Sequence, residues 1–212
     1  MYSRLPAEKK ILIYQGSGIN VNRGAEELVL AMNYLDANKY ALWIVGGGDV
    51  FNELKVLATS QKLEDRITFI NKVPFQKLRE ITMQADLGLS FDKPTNLNYL
   101  YSLPNKVFDY LHAGLPILTT RLPEIARLNE AYEVGCFIEN HDPKHIAERI
   151  EYIFSDMDRY ANWKKNTVAA ARAHMIPTRP SRLTRRRVAG DRSSKWRNGC
   201  DPNSPPIAWA GR

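Results

Sequence analysis

The sequence predicts an α/β fold with a doubly wound, mostly parallel, Rossmann-like sheet of about six strands. Over residues 10–174, short apolar runs alternate with longer segments in which apolar residues recur every three or four positions. Glycine-rich turns also follow two of the apolar runs, as they do where a strand passes into a helix. The two observations together indicate repeated βα units.

Each predicted strand is a short apolar run, and each predicted helix carries one apolar face. The predicted strands are Ile11–Tyr14, Tyr40–Val45, Ile67–Ile70, Leu87–Phe91, Ile117–Thr120 and Cys136–Ile138. The predicted helices are Ala25–Leu35, Phe51–Leu63, Phe75–Ala85, a short one between Pro104 and Gly114, one near Glu124–Asn129, one from Asp142 to about Phe154, and one from Asp156 to about Ala173.

The short helix before Gly114 is the most informative element. Pro104 is typical of a helix start and Gly114 of the left-handed residue that ends a helix. Its apolar face is predicted to hold Val107, Phe108 and Leu111, and its polar face Asn105, Asp109 and His112. An ordinary surface helix of an α/β domain would explain the same pattern.

The start of this helix also suits a ligand that carries both phosphate and hydroxyl groups. Amides at a helix N-terminus bind anions, and Lys106 adds a positive charge beside them. Asp109, one turn further on, can accept hydrogen bonds from a sugar diol.

A second anion site is predicted in the loop Gln15-Gly-Ser-Gly-Ile-Asn-Val-Asn-Arg-Gly24 after the first strand. Backbone amides of such a loop can approach a phosphate, and Arg23 supplies a planar cation. Val21 stands where a dinucleotide-binding fingerprint has its third glycine, so that motif is absent. A plain turn would explain the loop alone, but Arg23 and Lys106 together favour an anion site.

The segment Asp109-Tyr-Leu-His-Ala-Gly-Leu-Pro116 resembles the donor-binding motif of the retaining glycosyltransferases of family 4, which have the two-domain GT-B architecture. Asp109 stands where that family usually has Glu, and Tyr101 where it often has a second Glu. The sequence is closer to a subgroup with Ser-x-Pro-x-Lys before the helix, which Ser102, Pro104 and Lys106 match.

The resemblance implies a nucleotide diphosphate sugar, linked to UDP or GDP, as the substrate. The donor-binding residues that it implies are Gly16, Arg23, Gly24, Ser102, Asn105, Lys106 and Asp109. Such enzymes are thought to use the donor phosphate itself and to stabilise the leaving diphosphate by charge. The resemblance therefore implies neither a metal nor another cofactor, and no catalytic residue is assigned.

The resemblance covers only residues 10–172, the donor-binding half of the architecture, with residues 1–9 as the remnant of an interdomain linker. One hypothesis is therefore a donor domain that needs a separate acceptor-binding domain to glycosylate a saccharide or a lipid-linked acceptor, as in polysaccharide biosynthesis. The alternative is a non-catalytic, nucleotide-sugar-binding fragment. The resemblance leaves open a peripheral membrane association of the full enzyme.

The charge distribution separates a tail from this domain. Of the 30 basic and 23 acidic residues, nine basic and two acidic ones lie in residues 175–212, so the preceding residues are balanced. The tail composition predicts disorder, and its abrupt onset favours a non-native extension over a natural tail. An arm that binds nucleic acid is a further hypothesis, although no specific nucleic acid is expected.

The remaining features favour a protein of the cytoplasm. Cys136 and Cys200 lie in unlike contexts, the N-terminus has no apolar signal region, and no apolar run reaches membrane-spanning length. Asp156-Met-Asp158 is interpreted as the acidic start of a helix, not as a metal site, and Asp49, after Gly46-Gly-Gly48, as the N-cap of the helix that follows the second strand.

Overall fold

The computed structural model describes residues 9–95, 97–101 and 103–175. The predicted basic tail lies outside the described residues except for Met175, and the predicted linker remnant except for Lys9. Ser102, one of the predicted donor-binding residues, is also outside them.

The strands form one sheet of six, with the order β3-β2-β1-β4-β5-β6. All of its neighbouring strands pair in parallel, which confirms the doubly wound α/β prediction. The strands are β1 (Lys10–Gly16), β2 (Tyr40–Gly46), β3 (Ile67–Asn71), β4 (Leu87–Ser90), β5 (Ile117–Thr120) and β6 (Gly135–Ile138). The chain builds outwards from β1 to β3, then crosses back to β4 and builds in the other direction.

The described helices are α1 (Ala25–Ala31), α2 (Phe51–Ser60), α3 (Phe75–Thr82), α4 (Leu97–Leu100), α5 (Asn105–His112), α6 (Pro123–Tyr132), α7 (Pro143–Phe154) and α8 (Met157–Met175), with a 3-10 turn at Met32–Tyr34. Helix α2 ends before its predicted limit because Lys62 turns left-handed, at φ 57°. The short α4 was not predicted. Among the described helices, none is long and apolar enough to cross a bilayer.

The hydrophobic core lies in two layers, one on each face of the sheet. Leu12 of β1 belongs to the first layer and Ile13 to the second, because successive strand residues point to opposite faces. The first layer packs α1, α2 and α7 against the sheet, and the second packs α3, α5 and α6. Helix α8 contributes Tyr160 to the first layer and Ala170 to the second.

The hydroxyl of Tyr110 joins β1 to β4 on the second face. The backbone N–H of Gln15 donates to this hydroxyl at 3.1 Å, and the hydroxyl lies 3.1 Å from the Leu89 carbonyl and 3.3 Å from the Ile13 carbonyl, to which it can donate. The aromatic ring lies directly on Gly88, where an added Cβ would stand 2.4 Å from ring carbons. Glycine at this position therefore lets α5 approach the sheet.

We expect Gly88→Ala to lower the free energy of unfolding by about 1–3 kcal/mol, because the ring of Tyr110 must shift and strain its contacts with β1 and β4. Urea denaturation followed by circular dichroism would measure the change. Gly18→Ala is the matched control, since its Cβ would come no closer than 3.6 Å to another side chain. Equal stability of the two variants would contradict the prediction.

Candidate active site

A cleft of about 600 Å³ opens at the carboxyl ends of β1 and β2. Its walls come from the β1–α1 loop, the β3–α3 loop and the first turns of α5. The connections after β1 and β4 leave on opposite faces of the sheet, to α1 and α5, and such a switch point is where open α/β sheets bind ligands.

Two cations, one from the β1–α1 loop and one from the first turn of α5, meet on one buried carboxylate beside this cleft. Nη1 of Arg23 lies 3.3 Å from Oδ1 of Asp92, and Nζ of Lys106 lies 3.3 Å from Oδ2. The Asp92 side chain is only 2% exposed, whereas the Arg23 side chain is 28% exposed and lines the cleft. The three groups carry a net positive charge on the wall of the cleft.

Lys106 is an unusually buried cation. Its side chain is 8% exposed, and its Nζ also lies 4.6 Å from the centre of the Tyr14 ring. Burial lowers the pKa of Lys106, and the neighbouring Asp92 carboxylate opposes that shift. The same Tyr14 donates its hydroxyl to the Arg23 carbonyl at 2.8 Å, which fixes the loop that carries the second cation.

Asp109 stands on the same wall, one turn after Lys106. Its Oδ2 accepts a hydrogen bond from Nε2 of Gln15 at 2.9 Å, and Oε1 of Gln15 accepts one from the Thr82 hydroxyl at 2.8 Å. Burial raises the pKa of the Asp109 carboxyl, while the Gln15 hydrogen bond lowers it. The carboxylate therefore has one oxygen held by the protein and stands at the cleft as an acceptor.

The structure brings most of the predicted donor-binding residues together. Gly16, Arg23, Asn105, Lys106 and Asp109 all line the cleft. Gly24 lies behind it, in a left-handed conformation with φ 72°, where a Cβ would stand 2.5 Å from Cβ of Phe91. Gly24 thus allows α1 to start close to the end of β4.

Sequence reasoning missed the acidic and amide partners of these residues. Asp92 directly follows the strand run that ends at Phe91, so its place at the carboxyl edge was a signal that could have been used. Gln15, at the end of the first apolar run, gave the same signal. Tyr110 was missed on the apolar face of α5, where it is fully buried while the predicted Phe108 is only partly buried.

Two smaller interpretations had different outcomes. Asp49 was expected to cap the helix after the second strand, but the N-cap of α2 is Val50 and no side chain caps it. That expectation is wrong. Asp156 does cap α8, since its Oδ1 accepts a hydrogen bond from the Arg159 amide at 2.9 Å.

Across residues 9–95, 97–101 and 103–175, no three His, Cys, Asp or Glu residues form a group that could hold a metal ion.

Similar solved structures identify the class of fold. HepE from Anabaena, solved with UDP and glucose, has a TM-score of 0.66 and 17% identity, over 79% of this chain and 44% of its own. Sucrose-phosphate synthase from Thermosynechococcus elongatus has a TM-score of 0.65 and 21% identity, over 80% and 42%. The C-terminal domain of LpcC from Francisella tularensis has a TM-score of 0.65 and 14% identity, over 81% and 88%. The fold is therefore an α/β Rossmann-like fold that matches one half of the GT-B architecture.

The sequence identifies the family. The model of the family described as glycosyl transferases group 1 matches residues 3–169, and the chain belongs to that family. No curated protein sequence matches the chain significantly. The chain spans less than half the length of HepE and of sucrose-phosphate synthase, but most of the LpcC C-terminal domain.

The raised pKa of Asp109 predicts that Asp109→Asn stabilises the ligand-free chain at neutral pH. The folded state holds the Asp109 proton more tightly than the unfolded state, so ionisation costs stability as the pH rises through these two pKa values. We expect a gain of up to about 1 kcal/mol at pH 7.5. Below the pKa of the unfolded state, the gain should disappear.

Thermal unfolding without nucleotide at pH 7.5 and pH 3.5 would measure this difference. Asp65→Asn, in an exposed turn, is the control and should show no such gain. A wild-type chain more stable than Asp109→Asn at pH 7.5 would contradict the expected sign.

Proposed function

We propose that this chain is the donor-binding domain of a glycosyltransferase and holds a nucleotide diphosphate sugar in the cleft beside α5. The observation that carries the proposal is the meeting of Arg23, from the β1–α1 loop, and Lys106, from the first turn of α5, at the switch point of the sheet. Two adjacent cations suit the charge of a diphosphate, and this edge of the cleft offers them.

The rest of the cleft is consistent with such a donor. Asp109, with one carboxylate oxygen held by Gln15, would accept hydrogen bonds from the ribose hydroxyls. Asn105 and the first turn of α5, whose N-cap Pro104 provides no side-chain acceptor, would face the phosphates. Gly16 would let the backbone of β1 approach the ligand. HepE was solved with UDP and with UDP-glucose, and these ligands carry the diphosphate and ribose groups that the cleft would bind.

In the reaction, Arg23 and Lys106 would stabilise the charge that develops on the leaving diphosphate. This role fits the retaining, family 4 mechanism that the sequence motif implies, in which the donor phosphate itself assists the transfer. No metal or other cofactor enters this scheme. The nucleotide of the proposed donor is UDP or GDP. The domain that would bind it comprises residues 10–174.

We further propose that the acceptor is bound by a separate domain. The chain spans under half the length of two similar enzymes, and residues 1–9 would be the end of a linker to that domain. Exposed apolar side chains stand in the connections that follow β1, β3 and β4, on loops and at helix starts: Val21, Phe75, Leu97 and Tyr101. Such a rim would suit an apposed domain. The same proposal includes a saccharide or a lipid-linked molecule as the acceptor. It also includes a cytoplasmic location, a peripheral membrane contact of the full enzyme, and a basic tail from residue 175 that is non-native.

The donor site predicts that UDP or GDP binds to the full chain and that Arg23→Ala and Lys106→Met each weaken it about tenfold or more. Each substitution removes a charge-assisted hydrogen bond to the diphosphate. Isothermal titration calorimetry would measure the dissociation constants, with circular dichroism to confirm the fold. Methionine keeps most of the buried volume of Lys106.

Arg127→Ala and Lys144→Met are the matched controls, because both residues are exposed on helices away from the cleft lining. They should leave the dissociation constant unchanged. Equal binding by all four variants would refute the site. Binding without glycosyl transfer, even after an acceptor-binding domain is supplied, would favour the alternative of a non-catalytic nucleotide-sugar-binding fragment.

A further inference from the structure

The buried carboxylate of Asp92 has no role in the donor-binding scheme above. It follows β4, is 2% exposed, and contacts both cations that the scheme assigns to the diphosphate. The Ser90 hydroxyl donates to its Oδ2 at 3.4 Å, so the protein also orients the carboxylate itself. A buried anion beside an anion site would weaken binding if it only competed with the ligand.

We propose that Asp92 is a positioning residue, the counter-ion that keeps the buried Lys106 charged and beside Arg23 so that the empty cleft is ready for a diphosphate. This inference rests on the proposed function. Each cation pairs with a different oxygen of one carboxylate, and that arrangement fixes them side by side before the ligand arrives. The protein thereby reduces the cost of ordering two long side chains upon binding.

The surroundings of Lys106 make a counter-ion necessary. The groups that face its ammonium are the Tyr14 ring from β1, Arg23 from the β1–α1 loop and Asp92 from the loop after β4. Burial and Arg23 both favour the uncharged amine, and Asp92 is the group that favours the ammonium. Without Asp92, a lysine in this position would lose its proton at a lower pH and its value as a phosphate ligand.

The first test needs no nucleotide. In the full chain, an NMR titration of the Lys106 Cε resonance would compare the wild type with Asp92→Asn. We expect deprotonation about one to three pH units lower in Asp92→Asn, and a wild-type value in Asp92→Glu, which keeps the charge. Asp92→Ser serves as the second neutral variant if Asp92→Asn does not fold. An unchanged Lys106 titration in the neutral variant would overturn the inference.

The second test measures anion binding as a function of pH, with pyrophosphate as the probe. At pH 6, where Lys106 is still charged, Asp92→Asn should bind pyrophosphate within about threefold of the wild type, because the loss of a competing negative charge offsets the lost ordering of the two cations. Above the new Lys106 pKa, its affinity relative to the wild type should then fall, by up to about tenfold per pH unit, towards the affinity of Lys106→Met. Asp92→Asn with Lys106→Arg should keep its affinity at pH 9, since arginine does not lose its proton. An equal loss at pH 6 and pH 9 would indicate a merely structural role and overturn the inference.

Titration of UDP and GDP in parallel separates this inference from the proposed function. If pyrophosphate follows the expected pH profiles but neither nucleotide binds, the proposed function fails and the role of Asp92 stands. If a nucleotide binds with the same pH profile in wild type and Asp92→Asn, the role of Asp92 fails and the proposed function stands.

Discussion

The contact between β1 and β4 is the constraint on which the rest of this domain depends. The two strands run side by side, but the chain leaves β1 towards one face of the sheet and β4 towards the other. A cleft must open where those connections part. The Tyr110 hydroxyl contacts the backbone of both strands immediately below that point. These hydrogen bonds connect the floor of the cleft to the buried core.

The cleft contains a buried negative charge that the sequence motifs do not indicate. A site built only from Arg23 and Lys106 would place two positive charges together in a poorly solvated position, where each raises the cost of the other. Asp92 relieves that repulsion and leaves a single net positive charge. The site thus remains attractive to an anion while it stays compatible with a folded core.

The sequence alone predicted the fold and those candidate site residues whose role can be inferred from their neighbours along the chain. Apolar periodicity located all six strands, a glycine-rich loop pointed to Arg23, and a helix start pointed to Lys106 and Asp109. Asp92 and Gln15 gave only the weaker signal of their place at a strand end, because the site residues that they contact, Arg23, Lys106 and Asp109, lie between 14 and 94 residues away along the chain. Tyr110 was hidden for another reason: on an apolar helix face, a tyrosine with a structural hydroxyl looks like any core residue.

Helix α5 places ligand chemistry and core packing on neighbouring residues. Asp109 faces the cleft, whereas the next residue, Tyr110, is fully buried and bonded to two strands. In the proposed donor site, a substitution at position 109 would therefore change the ligand affinity with a modest effect on stability, whereas a substitution at position 110 would reduce the amount of folded protein. The ligand that the domain binds could then change while its framework stayed the same.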